Sequence, residues 1–261
     1  MKAFIFIVLG IVVMSCRVSK TNLKFANNPV VAHRGAWKAK GLPENSIASL
    51  QEAIALGCAG SEFDVRMTSD GVLVINHDPH FHEMDIENST FEELNTFKLS
   101  NGEPLPTLSA YLKAGMKNNS GTRLVLEIKP SVISKERGRQ IAEKVYQMVE
   151  ESGAATWVSY ISFDFDMLLK LKELNGEVIT QYLENNKSPE EVSAQQIDGI
   201  DYYFKTFRNH PEWIESAKRN HLILNAWTVN EAEDISWLLG NNFDFITTNE
   251  PELALKLFQE R

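Results

Sequence analysis

Short apolar runs alternate with amphipathic segments along the chain from residue 29 to the C-terminus. The apolar runs have the length expected of β-strands. Eight strands are predicted: Val30–Arg34, Gly60–Met67, Arg123–Lys129, Trp157–Phe163, Glu177–Leu183, Gly199–Lys205, His221–Thr228 and Asp244–Thr248. An additional extended piece, Val72–His77, follows the second strand through the hairpin-type turn Asp70-Gly71.

Between the strands, apolar side chains recur with the spacing of an amphipathic helix. In the first such segment, Ile47 and Leu50 begin an apolar stripe, and Gly57 ends the helix. Several segments begin with Asp, Ser, Asn or Pro, which suit a first helical turn. Seven helices are predicted: Asn45–Leu56, Lys135–Glu151, Asp166–Leu174, Ser188–Ala194, Pro211–Arg219, Glu231–Leu239 and Pro251–Gln259.

Eight strands alternating with helices over roughly 230 residues predict a single-domain α/β protein with a (β/α)₈ TIM-barrel fold. A doubly wound open sheet is the alternative. No Gly-x-Gly-x-x-Gly sequence follows the first strand, so a dinucleotide-binding fold has no support. Residues Pro79–Pro106 interrupt the alternation, and we expect them to form a short loop insertion after the second strand, a lid or substrate-side segment on the catalytic face.

The N-terminus is typical of a targeting segment. Lys2 precedes the apolar run Ala3–Met14, which is too short to span a membrane as a stable helix. Val13-Met14-Ser15-Cys16 resembles the bacterial lipoprotein processing box, in which the cysteine becomes the lipidated first residue. We predict a signal peptide over residues 1–15, a lipidated tether over 16–28 and the barrel over 29–261. An ordinary secretory signal and a buried N-terminal strand are the alternatives.

These predictions describe an exported bacterial lipoprotein, anchored to a membrane through Cys16 and facing the periplasm or the cell surface. The formal net charge of −9 argues against nucleic acid as the main partner, because phosphate backbones require basic patches. Cys58 is the only other cysteine, so no intramolecular disulfide forms once Cys16 carries lipid. We expect Cys58 to be a small buried apolar residue rather than a nucleophile.

Chemically active residues follow several of the predicted strands, where a TIM barrel carries its active site. Glu62 and Asp64 are two residues apart and therefore point to one face of a strand, and Glu127 ends the next barrel strand. Three carboxylates suit a hard divalent cation, so we expect one Mg²⁺ or Ca²⁺ ion there. Ion pairing with Lys129 or nearby arginines is the alternative.

Two histidines flank these acids in the sequence. His33 ends the first strand and His77 ends the extended piece, and together they can act as a general acid–base pair because imidazole titrates near neutral pH. Arg34 and Lys129 are suited to bind phosphoryl oxygens. The combination predicts a metal-assisted hydrolase that acts on an anionic substrate.

A set of motifs, in order from about residue 29 to the C-terminus, resembles the glycerophosphodiester phosphodiesterase family, whose members are TIM barrels related to bacterial phosphatidylinositol phospholipases. The motifs are His33-Arg34-Gly35, Pro43-Glu44-Asn45-Ser46, Glu62-Phe63-Asp64-Val65, Asp70-Gly71-x-Leu73-Val74-x-x-His77-Asp78, Pro106-Thr107-Leu108, Glu127-Ile128-Lys129 and Ala226-Trp227-Thr228-Val229-Asn230.

The resemblance implies a role for each matching residue. It implies metal binding by Glu62, Asp64 and Glu127, acid–base catalysis by His33 and His77, and phosphate contacts by Arg34 and Lys129. It places Glu44 in the site, although capping of the following helix would also explain that residue. Trp227 matches an aromatic residue beside the glycerol, with core packing as the alternative, and Phe163 is a candidate for the same pocket.

The resemblance also implies an activity: metal-dependent hydrolysis of glycerophosphodiesters to sn-glycerol 3-phosphate and an alcohol. Where family members commonly carry an Arg-Thr-Thr-x-Gly run, this chain reads Pro79-His80-Phe81-His82-Glu83-Met84-Asp85, which leaves the preferred head group open. Two other functions stay open: a phospholipase acting on inositol phosphodiesters or intact lipid, and a non-catalytic lipoprotein that binds glycerophosphodiesters.

Overall fold

The computed structural model describes residues 23–261, so the predicted signal peptide and Cys16 lie outside the described residues. Its strands are β1 (Val30–Ala32), β2 (Gly60–Met67), β3 (Leu73–Ile75), β4 (His80–Phe81), β5 (Met84–Asp85), β6 (Arg123–Ile128), β7 (Val158–Ser162), β8 (Thr180–Tyr182), β9 (Gly199–Tyr203), β10 (Ile223–Trp227) and β11 (Phe245–Thr248). Eight of them run parallel in the order β1-β2-β6-β7-β8-β9-β10-β11. Because β1 pairs with both β2 and β11, the sheet closes into the predicted (β/α)₈ barrel, and the open-sheet alternative is wrong.

Helices follow the barrel strands around the outside. They are α1 (Ile47–Leu56), α2 (Phe91–Leu94), α3 (Leu108–Met116), α4 (Lys135–Glu151), α5 (Phe165–Leu174), α6 (Pro189–Ser193), α7 (Phe204–Asn209), α8 (Glu212–Arg219), α9 (Ala232–Gly240) and α10 (Pro251–Gln259). All seven predicted helices are present, with shifts of one or two residues at some ends. Helices α2, α3 and α7 were not predicted. The predicted strand Gly199–Lys205 runs into α7 because an apolar run does not show where the backbone turns helical.

The first strand is shorter than predicted, and its end determines part of the site. It stops at Ala32, and the next turn places Arg34 at φ 56° and Gly35 at φ 81°. A side chain at position 35 would overlap Ser49, so only glycine fits there. The turn presents the Arg34 backbone N–H to the Glu62 carboxylate, at 2.8 Å from Glu62 Oε2.

The barrel interior is filled by layers of side chains. Since the strands are staggered, each layer of four comes from alternate strands. Register and strand alternation give, from the amino end upward, a lower layer (Val31, Val125, Gln181, Asn225), a floor layer (Glu62, Ile161, Asp201, Thr247), a middle layer (His33, Glu127, Leu183, Trp227) and a rim layer (Asp64, Phe163, Tyr203, Asn249). The upper layers therefore bring residues distant in sequence to one cavity.

The insertion predicted over Pro79–Pro106 has its own small core. Strand β3 pairs antiparallel with β2, and the chain after it forms the β4–β5 hairpin, a 3₁₀ turn and α2. Phe81, Ile86 and Leu94 are buried in this core. Buried Glu87 fixes it to the barrel, because its carboxylate accepts hydrogen bonds from Arg137 Nε at 3.0 Å and Ser131 Oγ at 2.7 Å.

The amino end of the barrel is covered by residues 23–28, the described part of the predicted tether. Asn28 Oδ1 accepts from the backbone N–H groups of Val30 and Ala59 at 3.1 Å each, and its amide donates to the Gly57 carbonyl. The Phe25 ring lies under the Arg123 guanidinium, 3.9 Å from the ring centre. Among residues 23–261, no helix combines the length and the apolar character needed to cross a membrane.

Candidate active site

Three carboxylates converge at the carboxyl end of the barrel. Glu62 and Asp64 come from β2 and Glu127 from the neighbouring β6, and one oxygen of each lies within 4.8 Å of the others. All three residues are buried. The predicted acids are thus brought together by two adjacent parallel strands whose register sets Asp64 opposite Glu127.

Neighbouring polar groups hold these acids in place. The Asn45 side-chain amide donates to Asp64 Oδ2 at 2.8 Å, and Asn45 Oδ1 accepts from the Asp64 backbone N–H at 3.1 Å. Lys129 Nζ lies 2.7 Å from Glu127 Oε1 and 3.2 Å from Asp64 Oδ1. Both the predicted ion pairs and the predicted acid cluster are therefore present at once.

The electrostatics of the cluster favour an additional cation. Burial raises the pKa of Glu62 and of Glu127, and the charge of Asp64 raises both further. Burial acts in the same direction on Asp64, but Lys129, His77 and the Asn45 hydrogen bond outweigh it and lower the Asp64 pKa. Glu62 Oε1 has no hydrogen-bond partner among the described residues. An all-oxygen set with an unpartnered buried oxygen fits a hard divalent ion.

The two histidines stand on either side of the acids, each oriented by a second residue. His33 Nδ1 lies 2.8 Å from Asn249 Oδ1, which leaves Nε2 facing the cluster, 3.9 Å from Glu62 Oε2. Burial, followed by the charge of Arg34, lowers the His33 pKa to about 4. His77 Nδ1 lies 2.7 Å from Asp78 Oδ1. The His77 side chain is 37 % exposed and that of His33 18 %, so His77 is the one nearer solvent.

Two cations border the same cavity. Arg34 NH1 donates to Glu44 Oε2 at 2.6 Å, and Arg34 Nε lies 3.8 Å from Asp64 Oδ2. Glu44 therefore orients Arg34 and does not cap the following helix, whose N-cap is Ser46. Lys129 supplies the second cation from the end of β6.

An aromatic wall faces the charged side. Phe163 and Trp227 meet edge to face with ring centres 5.4 Å apart, and Trp227 Nε1 donates to the Asp201 carbonyl at 2.8 Å. The cavity between the two sides has a volume of about 90 Å³. Its lining includes eight of the predicted site residues: His33, Arg34, Glu62, His77, Glu127, Lys129, Phe163 and Trp227. Asp64 and Glu44 contact that lining directly.

Several residues of the site carry no role in the sequence prediction. Asn45, Asp78 and Asn249 orient Asp64, His77 and His33 respectively. Asn249 follows β11 directly, and Asp78 comes just after His77 beyond the end of β3, so the rule that placed the histidines would also have found them. Asp201 lies inside β9 among apolar neighbours, and only its charge in such a strand marks it.

Related proteins share this fold and length. A crystal structure of a glycerophosphodiester phosphodiesterase from Parabacteroides distasonis is 38 % identical, covers 91 % of this chain and 99 % of its own, and superimposes with a TM-score of 0.87. The glycerophosphodiester phosphodiesterase of Caldanaerobacter subterraneus subsp. tengcongensis is 28 % identical over 244 residues, which are 88 % of this chain and 98 % of that protein.

A phosphodiesterase from Oleispira antarctica, solved in complex with the product sn-glycerol-3-phosphate, is 21 % identical with a TM-score of 0.76, covers 88 % of this chain and 96 % of its own, and shows the fold alone. The sequence profile of the glycerophosphoryl diester phosphodiesterase family matches residues 33–253, which contain every predicted site residue except Cys16. The relatives are named as enzymes of this activity. The chain therefore belongs to the glycerophosphoryl diester phosphodiesterase family.

Proposed function

We propose that this enzyme hydrolyses glycerophosphodiesters to sn-glycerol 3-phosphate and an alcohol by metal-assisted acid–base catalysis. One observation carries the proposal: the buried acids, two oriented histidines and two cations meet an aromatic wall in one cavity. The charged side suits a phosphoryl group, and the aromatic side suits the carbons of a small polyol. The product complex of the Oleispira antarctica relative supports glycerol 3-phosphate as the shared unit.

Glu62, Asp64 and Glu127 would hold one divalent ion, Mg²⁺ or Ca²⁺, because their oxygens are buried and Glu62 Oε1 is unpartnered. When bound, such an ion stabilises negative charge on a phosphoryl oxygen and lowers the pKa of a hydroxyl. Lys129 would then be shared between the acids and the phosphoryl group. Arg34, held by Glu44, would present its guanidinium to a second phosphoryl oxygen.

The reaction we propose has two steps. The glycerol 2-hydroxyl attacks phosphorus while one histidine accepts its proton, and the other histidine gives a proton to the departing alcohol oxygen. Water then opens the resulting cyclic phosphate, with the two histidines reversing roles. The geometry favours His33 as the first base because Nε2 faces the acids inside the barrel, and His77 as the acid because it borders solvent, where the alcohol leaves.

Release of glycerol 3-phosphate from glycerophosphocholine tests this mechanism. The soluble form that starts after Cys16 is assayed with EDTA and again after Mg²⁺ or Ca²⁺ is restored. His33→Ala and His77→Ala are each expected to lower the rate by about 10²- to 10⁴-fold. His210→Ala is the matched control, since His210 is exposed on the outer surface after α7. Full activity in EDTA, or in both site variants, would refute the mechanism.

A second candidate substrate is a diester that carries an acyl chain. Val132 and Ile133 are 61 % and 52 % exposed in the loop between β6 and α4, on the catalytic side of the barrel. Exposed apolar side chains beside an active site favour contact with an apolar group. Lysophosphatidylcholine should then compete with glycerophosphocholine as substrate. Val132→Ser combined with Ile133→Ser should lower only the rate on the lysolipid. No hydrolysis of the lysolipid, or a lysolipid rate that the two substitutions leave unchanged, would exclude this candidate.

We also propose that the protein is an exported lipoprotein anchored through Cys16, with no nucleic acid partner. The described residues begin at Leu23, and the stretch that follows packs on the amino end of the barrel, opposite the catalytic mouth, with the Ala26 N–H donating to the Gly121 carbonyl. That placement supports soluble glycerophosphodiesters as substrates. In cell fractionation, Cys16→Ser should move the protein from the membrane to the soluble fraction. Membrane retention of the Cys16→Ser protein would contradict the proposal.

A further inference from the structure

Asp201 is a buried carboxyl group that the proposed mechanism does not use. It belongs to the floor layer and comes from β9, the strand that lies diametrically across the barrel from β2 and Glu62. The residue is 1 % exposed, and its Oδ1 has no hydrogen-bond partner among residues 23–261. A buried polar atom without a partner costs stability, so its retention calls for an explanation.

Two other aspartates at the strands of this barrel show what an ordinary structural role looks like. Asp198 Oδ2 accepts from the Thr180 backbone N–H at 2.8 Å, and Asp244 Oδ2 accepts from the Leu224 backbone N–H at 2.8 Å. Both lie at the amino end and join neighbouring strands. Asp201 makes no such bond with its side chain and lines the cavity instead.

The surroundings of Asp201 favour a neutral carboxyl group. Burial raises its pKa well above the ordinary value, and the charge of Glu127 raises it further. The nearby cation, Lys129, is engaged by Asp64 and Glu127. A carboxyl oxygen accepts a hydrogen bond from a hydroxyl group whether or not the carboxyl group is protonated, whereas the phosphoryl oxygen of a diester anion has no proton to donate to Asp201 Oδ1.

We propose that Asp201 is a specificity-determining residue that hydrogen-bonds the terminal hydroxyl of the glycerol unit, the hydroxyl that takes no part in the reaction. This inference rests on the proposed function. With the phosphoryl group at Arg34 and Lys129 and the 2-hydroxyl beside His33, the carbon chain lies along Phe163 and Trp227. The terminal hydroxyl then falls on the side of the floor formed by Asp201.

Trp227 links this group to the aromatic wall. Its indole N–H donates to the Asp201 backbone carbonyl, so the ring is fixed relative to the part of β9 that carries the carboxyl group. Ile161 and Leu183 in the cavity lining offer no polar atom on their side chains, and the hydroxyl of Thr247, the other neighbour of Asp201 in the floor layer, lies 3.3 Å from Asn225 Oδ1. A substrate without a free terminal hydroxyl would leave the Asp201 carboxyl group unpartnered in the complex, and the site would reject it for that reason. A lysolipid acylated at that position is such a substrate, so this inference and the lysolipid candidate exclude each other.

The test compares glycerophosphocholine with the analogue in which propane-1,2-diol replaces glycerol. The analogue keeps the attacking hydroxyl and lacks only the terminal one. We expect the wild-type kcat/KM to favour glycerophosphocholine by about 10- to 100-fold. Asp201→Leu should bring that ratio close to 1, because no polar group remains to be satisfied, and Asp201→Asn should keep most of it. Asp244→Asn, on the amino end, is the control and should leave the ratio unchanged.

Binding of the two products, glycerol 3-phosphate and propane-1,2-diol phosphate, gives a readout that does not depend on catalysis, and thermal unfolding confirms that each variant folds. A wild-type ratio near 1, or an unchanged ratio in Asp201→Leu, would overturn the inference even if the enzyme is active. If the wild type releases glycerol 3-phosphate from no diester, the proposed function fails, and the product-binding ratio then decides the role of Asp201 separately.

Discussion

The two ends of the barrel treat their buried polar groups in opposite ways. At the amino end, Asn28 satisfies two backbone N–H groups and a carbonyl, and Asp198 and Asp244 each accept from a neighbouring strand. At the carboxyl end, Glu62 Oε1 and Asp201 Oδ1 are buried without hydrogen-bond partners among the described residues. The amino end stabilises the fold, whereas the carboxyl end keeps polar atoms available for a ligand.

This difference indicates that the carboxyl end, which carries the candidate active site, is the less stable of the two. Like-charged carboxylates packed together disfavour the folded state unless a cation joins them. No such cluster appears at the amino end among residues 23–261, where the charged side chain of Arg123 lies against the Phe25 ring. Substitutions at the two ends should therefore separate activity from stability, and the following predictions use that separation.

The largest effect is expected for Glu62→Gln at the carboxyl end. The amide keeps an acceptor for the Arg34 backbone N–H but removes one charge from the acid cluster. The kcat/KM for glycerophosphocholine should fall about 10³-fold, while the melting temperature in EDTA stays equal or rises. Activity assays and thermal unfolding of the same samples check both parts. A comparable loss of stability would show that Glu62 has a structural role.

The opposite result is expected for Asn28→Ala at the amino end. The substitution leaves the N–H groups of Val30 and Ala59 and the carbonyl of Gly57 without their partner. The free energy of unfolding should fall by about 3 kcal/mol, measured by urea denaturation, with kcat/KM unchanged within about twofold. Asn27→Ala is the control because Asn27 is exposed beside it. Loss of activity without loss of stability would break the separation of the two ends.

Asp201→Leu should show how much the buried carboxyl group lowers the free energy of unfolding, because that effect depends on pH. The folded-state pKa of Asp201 lies above its unfolded value, so the folded protein retains a proton that the unfolded chain releases above about pH 4. The free energy of unfolding of the wild type therefore decreases with rising pH relative to that of Asp201→Leu. The gap, meaning the difference between these two free energies, should widen from pH 4 to pH 8. Urea denaturation across that range measures the gap.

The other ionisable groups that line the cavity are His33, Arg34, Glu62, His77, Glu127 and Lys129. They are present in both proteins, so the comparison of Asp201→Leu with wild type subtracts their direct contributions. A gap that stays constant or narrows as the pH rises would contradict a neutral, buried Asp201.

The smallest effect concerns Cys58. Its side chain is fully buried, and burial raises the pKa of the thiol to about 12. A thiol reagent should therefore label it only as fast as the barrel unfolds. Cys58→Ala should cost about 1 kcal/mol of stability and leave activity unchanged. Rapid labelling of the native protein would show that the amino end opens locally.

The sequence predicted the barrel well because its signals are local. Apolar runs and helical spacing located all eight strands and seven of the helices, and α4 and α10 match residue for residue. Helix α3 was missed because it follows the irregular insertion directly, with Thr107 as its N-cap. Helix α7 was missed because its first residues continue an apolar run.

Part of the chemistry of the site could be predicted from the sequence because its signals are also local. Active residues of a TIM barrel lie toward the carboxyl ends of its strands, so His33 and Glu127 could be selected from strand ends. Glu62 and Asp64 lie inside β2 and could be selected because residues two apart share one face of a strand. The Pro79–Pro106 insertion could be located, but its fixation through Glu87 could not, because Arg137 lies 50 positions further along the chain. The orienting role of Asn249 depends in the same way on a residue at the opposite end of the barrel domain.

The sequence alone determined the fold class, the strands that carry the acids and histidines, and the chemistry that those side chains can perform, because each depends on residue type and near neighbours. Only the tertiary structure decided which groups are satisfied. Glu44 pairs with Arg34, Asn45 holds Asp64, and Asp201 is left without a partner in the barrel floor. Hydrogen bonding and burial depend on residues that are close in space but distant in the sequence. The staggered closure of eight strands is what brings these residues together.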